Sequence, residues 1–146
     1  DATTISNTIA STTATLTTNG IAACVFSPAR EGLYYLVVKH RNSIETWSAS
    51  SVAISLTSSY DFTNFPNKAF GGNMSEVETG VWAIFSGDIN QDGNIDNSDY
   101  SFWETDANEF AFGNFITDLN GDGNVDNTDY SIWEKNANNF VFVMTP

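Results

Sequence analysis

The sequence predicts a mainly β fold: an antiparallel β-sandwich carrying a small α lobe of two loop–helix repeats. Two observations predict it. Up to residue 86, short runs rich in Thr, Val, Ile and aromatic residues alternate with Gly, Pro, Asn and Asp turn signals at roughly the eight-to-twelve-residue spacing of a sandwich. After residue 86 the pattern changes to two Asp/Asn/Gly-rich stretches 30 residues apart, starting at Asp88 and Asp118, each followed by residues at helical spacing. The chain of 146 residues can bury one good core, or two small ones in contact.

The β module is expected over residues 1–86, with 1–18 as a Thr-rich N-terminal strand or arm. Ten of those 18 residues are Ser or Thr and none is Pro, which favours one or two strands over a coil, because Thr suits a pleated surface. Asn19-Gly20 is a turn signal. Residues 21–26 read as a strand closed by Ser27-Pro28, with the lone Cys24 as a small buried hydrophobe. Glu31-Gly32 turns into 33–39, the strongest strand by composition. Strands at 44–48, 52–57 and 60–63 follow. Pro66-Asn67 and Gly71-Gly72-Asn73 mark loops, and 81–86 leads into the first repeat.

The two repeats form a lobe over 87–138. The first loop runs from Asp88 to Asp99 and the second from Asp118 to Asp129. Calcium accounts for the residue types and their spacing. It is a hard cation that takes six to eight oxygens, and a 12-residue loop supplies them from positions 1, 3, 5, 7, 9 and 12. Those positions are Asp88, Asn90, Asp92, Asn94, Asp96 and Asp99 in the first loop, and Asp118, Asn120, Asp122, Asn124, Asp126 and Asp129 in the second. Asn94 and Asn124 would give backbone carbonyls. Position 6 is Gly93 or Gly123, where the chain must turn sharply. Position 8 is Ile95 or Val125, an apolar plug. Both loops end in Asp where Glu is usual, and its shorter reach demands a different closure. The competing reading is a pair of metal-free Asn/Asp/Gly surface turns. Magnesium fits less well, since it demands octahedral geometry and keeps its waters.

A helix is expected after each loop, starting near Asn97 and Asn127. Tyr100 with Trp103, and Tyr130 with Trp133, then share a face at three-residue spacing and should pack the repeats against each other or against the sandwich. Residues 139–146 alternate enough to form a final strand returning to the sandwich.

These residues resemble the duplicated calcium segments of dockerin modules over roughly 86–140. Dockerins also use Asp-x-Asn-x-Asp-Gly, close the loop with Asp, and have a helix only after each loop. The runs before the loops, Gly80-Val81-Trp82-Ala83-Ile84-Phe85-Ser86-Gly87 and Phe110-Ala111-Phe112-Gly113-Asn114-Phe115-Ile116-Thr117, agree, since neither reads as an incoming helix. The resemblance implies two bound Ca2+ ions and a cohesin-like docking partner. Where dockerins typically carry a basic pair for that partner, this chain has Glu104-Thr105 and Glu134-Lys135. Residues 34–41 and 45–48 also look like a β module found ahead of such repeats in secreted bacterial surface proteins of the Bacteroidetes type.

Charge narrows the functions further. The formal net charge is −13, from 18 acidic and 5 basic residues. Eight of the acidic residues are loop aspartates, so two divalent ions would bring −13 to −9. This balance argues against nucleic acid, which needs a basic face, and against anionic membranes. No apolar run approaches the ~18 residues of a spanning helix, so no membrane insertion is expected, and no signal peptide opens this numbering. A secreted, extracellular or cell-surface location suits a weak calcium module. One Cys excludes a disulfide within the chain. His40, between Lys39 and Arg41 and near Glu45 and Trp47, reads as a strand-end cluster. No nucleophile elbow, phosphate loop, zinc spacing or free acid–base pair appears, so no enzyme is expected. Asn73-Met74-Ser75 is a sequon, and the Thr-rich arm could carry glycans.

The leading expectation is a non-catalytic structural or assembly module, a fibre subunit of a bacterial surface that associates with itself or with another extracellular protein by strand addition. A dockerin-type docking module is the alternative. A carbohydrate-binding accessory module using Trp47 or Trp82 comes third.

Overall fold

The computed structural model describes residues 8–26 and 31–146. Residues 1–7 of the expected arm, and its Ser27-Pro28 closure, lie outside the described residues. Among the described residues six strands pair as three two-stranded antiparallel sheets, and two α-helices follow. β1 (Gly32–Tyr34) pairs with β4 (Val52–Ile54). β2 (Val37–His40) pairs with β3 (Ser43–Trp47). β5 (Ser75–Glu78) pairs with β6 (Val81–Ala83). Among the described residues no sheet is wider than two strands.

The expected continuous strand 33–39 is broken at Tyr35-Leu36. Ser48, fully buried, accepts from Leu36 N–H through its hydroxyl (3.0 Å) and donates its own N–H to Leu36 O (2.8 Å). A side chain thus takes one ladder position, and the chain passes from β4 to β3 as partner. Residues 60–63 are not a strand. Asp61 accepts both the N–H and the hydroxyl of Thr63 (2.7 Å each), a local turn that competes with sheet pairing. β4 stops at Ile54 because Ser55 and Ser58 bond to each other and to nearby backbone. β5 was missed in the sequence, where its two Glu hide the alternation. Its hairpin to β6 turns at Gly80, whose N–H is held by Glu76 Oε1 (2.9 Å).

The Asn19-Gly20 turn is present and brings Leu16 opposite Ala22 in a single bridge. Residues 8–15 form no strand, and 21–26 only that bridge. Every residue from 8 to 26 is exposed. Cys24 is therefore exposed, not buried as expected, because nothing in the described chain covers its hairpin.

The helices start where the sequence places them. α1 is Asn97–Asn108 and α2 is Asn127–Asn138, each opened by an Asp N-cap in a reciprocal capping box with the Asp that closes its loop. Each ends in a Schellman arrangement. Phe110 N–H bonds Ala107 O and Ala111 N–H bonds Asp106 O, with Phe140 and Val141 repeating this on Ala137 and Asn136. Phe110 and Phe140 hold the left-handed position (φ 53° and 52°) that usually belongs to Gly.

Tyr100, Trp103, Tyr130 and Trp133 stack between the helices, with ring centroids 5.1–6.1 Å apart. Each Trp reaches into the other repeat: Trp103 Nε1 donates to Asp126 O (3.1 Å) and Trp133 Nε1 to Asp96 O (3.0 Å). The backing is exchanged too. The segment after α1 pairs with the second loop (Gly113 N–H to Gly123 O, 2.8 Å; Val125 N–H to Ala111 O, 3.1 Å). The segment after α2 pairs with the first (Val143 N–H to Gly93 O, 2.8 Å; Ile95 N–H to Val141 O, 3.0 Å). So residues 139–146 make no sheet strand. They lie along the first loop, with one bridge between Phe142 and Asn94, and meet the β part where Asn73 Nδ2 donates to Phe142 O (2.9 Å). The core of Ile44, Ile95, Trp133 and Val141 joins β3 to this lobe, so lobe and β part share one core.

Candidate metal centre

Each loop is organised by its first and last aspartates. Asp88 and Asp99, and Asp118 and Asp129, are buried. Asp99 Oδ1 accepts from Ile89 N–H (2.7 Å) and Asn90 N–H (3.1 Å), and its Oδ2 from Asp96 N–H (2.9 Å). Asp129 does the same to Leu119, Asn120 and Asp126 at 2.8, 3.1 and 2.9 Å. Asp88 Oδ2 accepts from Gly93 N–H and Asp118 Oδ2 from Gly123 N–H, at 3.2 and 3.1 Å. The side chains of Asn90, Asp92 and Asp96 each accept the N–H two residues on, at 2.8–2.9 Å, and Asn120, Asp122 and Asp126 repeat this. Two loops of one conformation result. Asn94 and Asn124 donate their side-chain amides to Oδ1 of Asp92 and of Asp122 (3.1 Å each).

A test of fit comes from Asp88. Its Oδ1 is buried and has no hydrogen-bond partner among the described residues, an arrangement that costs free energy unless something satisfies it. Burial, reinforced by the nearby Asp99 and Asp92 charges, pushes the Asp88 carboxyl up to about 6. Burial also raises Asp99. Hard anionic oxygens confined together, one of them unsatisfied, suit a hard divalent cation. A carboxylate offers about four lone-pair directions. Three are taken at Asp99 and Asp129 by backbone N–H groups, so these residues close the loop first and leave roughly one direction each for a cation. Among the described residues, no three His, Cys, Asp or Glu side chains converge as a ready-made cage, so the four candidate aspartates of each loop would have to draw together on an ion.

The loops differ at position 4. In the second, Gly121 N–H donates to Asp118 Oδ1 (2.7 Å). In the first, position 4 is Gln91, whose side chain donates to Asp88 O (2.6 Å) and to Ser43 O in β3 (3.2 Å). Sequence reasoning missed this tie, and also Asn42 and Arg41, which reach the second loop from the β2–β3 turn. It missed Ser98 and Thr128 as well. Their hydroxyls donate to Asp96 and Asp126 (2.7 Å each) and accept from Asn90 and Asn120. A hydroxyl at position 11 of both loops was the available signal.

His40 lies beside Ser43 (3.2 Å), Lys39 pairs with Glu45 at 2.5 Å, and Trp47 Nε1 donates to Glu45 (2.6 Å). This is a strand-pair cluster, and Trp47 is tilted 59° against Tyr35. Among the described residues no helix is long and apolar enough to cross a membrane. Comparison with family models, with characterised proteins and with solved structures finds no match for this chain.

Proposed function

We propose that this chain is a non-catalytic, extracellular structural module, stabilised by two calcium ions, whose copies associate by strand addition. The observation that carries the reading is the arm. Residues 8–26 are exposed throughout, and the hydrogen bonds described for them stay within the arm. They nevertheless present Ile9, Leu16, Ile21 and Val25. From Ala2 to Ala29 the chain carries no charged side chain. A neutral, Thr-rich, β-prone segment can approach another strongly acidic copy without repulsion. Two-stranded sheets are marginal in water alone, and their open edges accept a further strand. In this reading the sandwich is completed between copies.

The six donor positions of each loop would hold one ion, supplying the charge that offsets the gathered aspartates. A dockerin-like origin of the lobe and a secreted, surface-fibre setting accord with weak calcium binding of roughly 10⁻⁴–10⁻³ M. Sedimentation of the full chain and of a chain lacking residues 1–26, both in calcium, tests the proposal. The full chain should form multi-copy species and the shortened one a monomer of unchanged melting temperature. A full chain that stays monomeric, or a shortened one that assembles equally well, would overturn it.

A further inference from the structure

We infer that the segment 41–43, the β2–β3 turn with the first residue of β3, is a positioning element that links calcium filling of the two loops to the order of the β part. The inference rests on the calcium reading above. The turn is wedged between the starts of both loops. Asn42, buried, donates its Nδ2 to Ile116 O (3.0 Å) and Asp118 O (3.1 Å). Arg41 donates to the same Asp118 O (3.2 Å) and to Phe115 O. On the other side Asn42 O accepts from Gly87 N–H (2.7 Å), and Ser43 O accepts from Gln91 Nε2, which also holds Asp88 O. Three consecutive residues thus secure the carbonyl of position 1 in the second loop directly, and in the first through Gln91. The next residue, Ile44, is fully buried in the shared core and accepts no solvent contact.

Gln91 points to the same design. It sits at φ 61°, where its counterpart in the second loop is Gly121 at φ 77°. A residue other than Gly is strained there, and what Gln contributes is a side chain long enough to bridge loop and strand. An ion that fixes a loop fixes these carbonyls, and with them the turn and β3. Linkage is reciprocal, so an ordered β part must in turn raise the affinity for calcium.

Hydrogen exchange of the full chain, read at the amides of 43–47 during a calcium titration, tests the link. In the natural chain calcium should slow exchange there by about tenfold or more. Gln91→Gly imports the second loop's own residue, relieves the strained φ and removes only the tie. It should still take up two ions per chain by calorimetry, while the calcium-dependent protection at 43–47 falls by about five- to tenfold, within the usual range of coupling. Asn42→Ala should weaken the protection further, and Gln91→Asn, too short to bridge, should behave like the Gly variant. Unchanged exchange at 43–47 on filling the natural chain, or full protection in Gln91→Gly, overturns the link while leaving calcium binding intact. An absence of calcium heat in the natural chain overturns the calcium reading and the link with it.

Discussion

Trp133 and Trp103 occupy the same place in the two repeats, make the same hydrogen bond across the lobe, and should differ sharply when removed. Trp133 is 7% exposed and packs in the core with Ile44, Ile95 and Val141, whereas Trp103 is half-buried. The cause lies in what covers each ring. β3 brings Ile44 to the Trp133 side, and the residue after α2 there is Val141; the matching residue after α1 is the smaller Ala111. Truncating a buried Trp costs about 3–5 kcal/mol, and the bond from Trp133 Nε1 to Asp96 O adds about 1 kcal/mol. Trp133→Ala should therefore lose about 4–6 kcal/mol. Trp103→Ala, with its ring half in water and its bond exposed, should lose about 2 kcal/mol. Urea unfolding in excess calcium, followed by far-UV circular dichroism, measures both. Equal losses, or a larger loss at Trp103, would refute the packing described for the shared core.

Three further outcomes follow. With calcium chelated, Asp88 makes stability fall as pH rises: its folded value of about 6 lies above the ordinary 3.8, so its contribution is complete below 3.8 and lost as pH passes 6. The span corresponds to roughly 3 kcal/mol, and melting scans from pH 4 to 7 should show a decline that Asp88→Asn flattens; a rising profile in that window would contradict it. Phe110, 89% exposed at φ 53°, should tolerate Gly but not Val. The Val variant should be about 1–2 kcal/mol less stable in denaturant, because a β-branched residue fits the left-handed region worst, and equal stabilities would show that the helix end is not held there. Finally, Gly93→Ala and Gly123→Ala strain the same loop position, but only at Gly93 would the new Cβ press a neighbour, Val143 Cγ1 at 3.0 Å. Gly93→Ala should thus show the lower melting temperature in calcium, and the reverse order would place the C-terminal segment elsewhere.

The lobe was legible in the sequence because its determinants are local. Loop length, the Asp caps and the Tyr/Trp spacing all act within about a dozen residues, and the helices begin at Asn97 and Asn127 as the spacing requires. The β part was less legible because its pairing is decided at a distance. Nothing near Leu36 announces that Ser48 will take its ladder position, and nothing in 139–146 distinguishes a sheet strand from a segment lying along a loop 48 residues earlier, as Phe142 does against Asn94. Cys24 sits in an apolar run that looks buried, yet burial depends on a partner surface that the described chain does not provide. In the loops the spacing of the twelve candidate positions could be read off, but the unsatisfied Oδ1 of Asp88 and the bridge through Gln91 arise from three-dimensional placement.

Calorimetric titration of the calcium-stripped chain with calcium, alongside Asp88→Asn and Asp118→Asn, is the most direct test of the central claim that the two loops are calcium sites. Two ions per chain, one in each variant, and a melting temperature that rises on filling are the expected results. No heat of binding, or an unchanged stoichiometry in both variants, would contradict it.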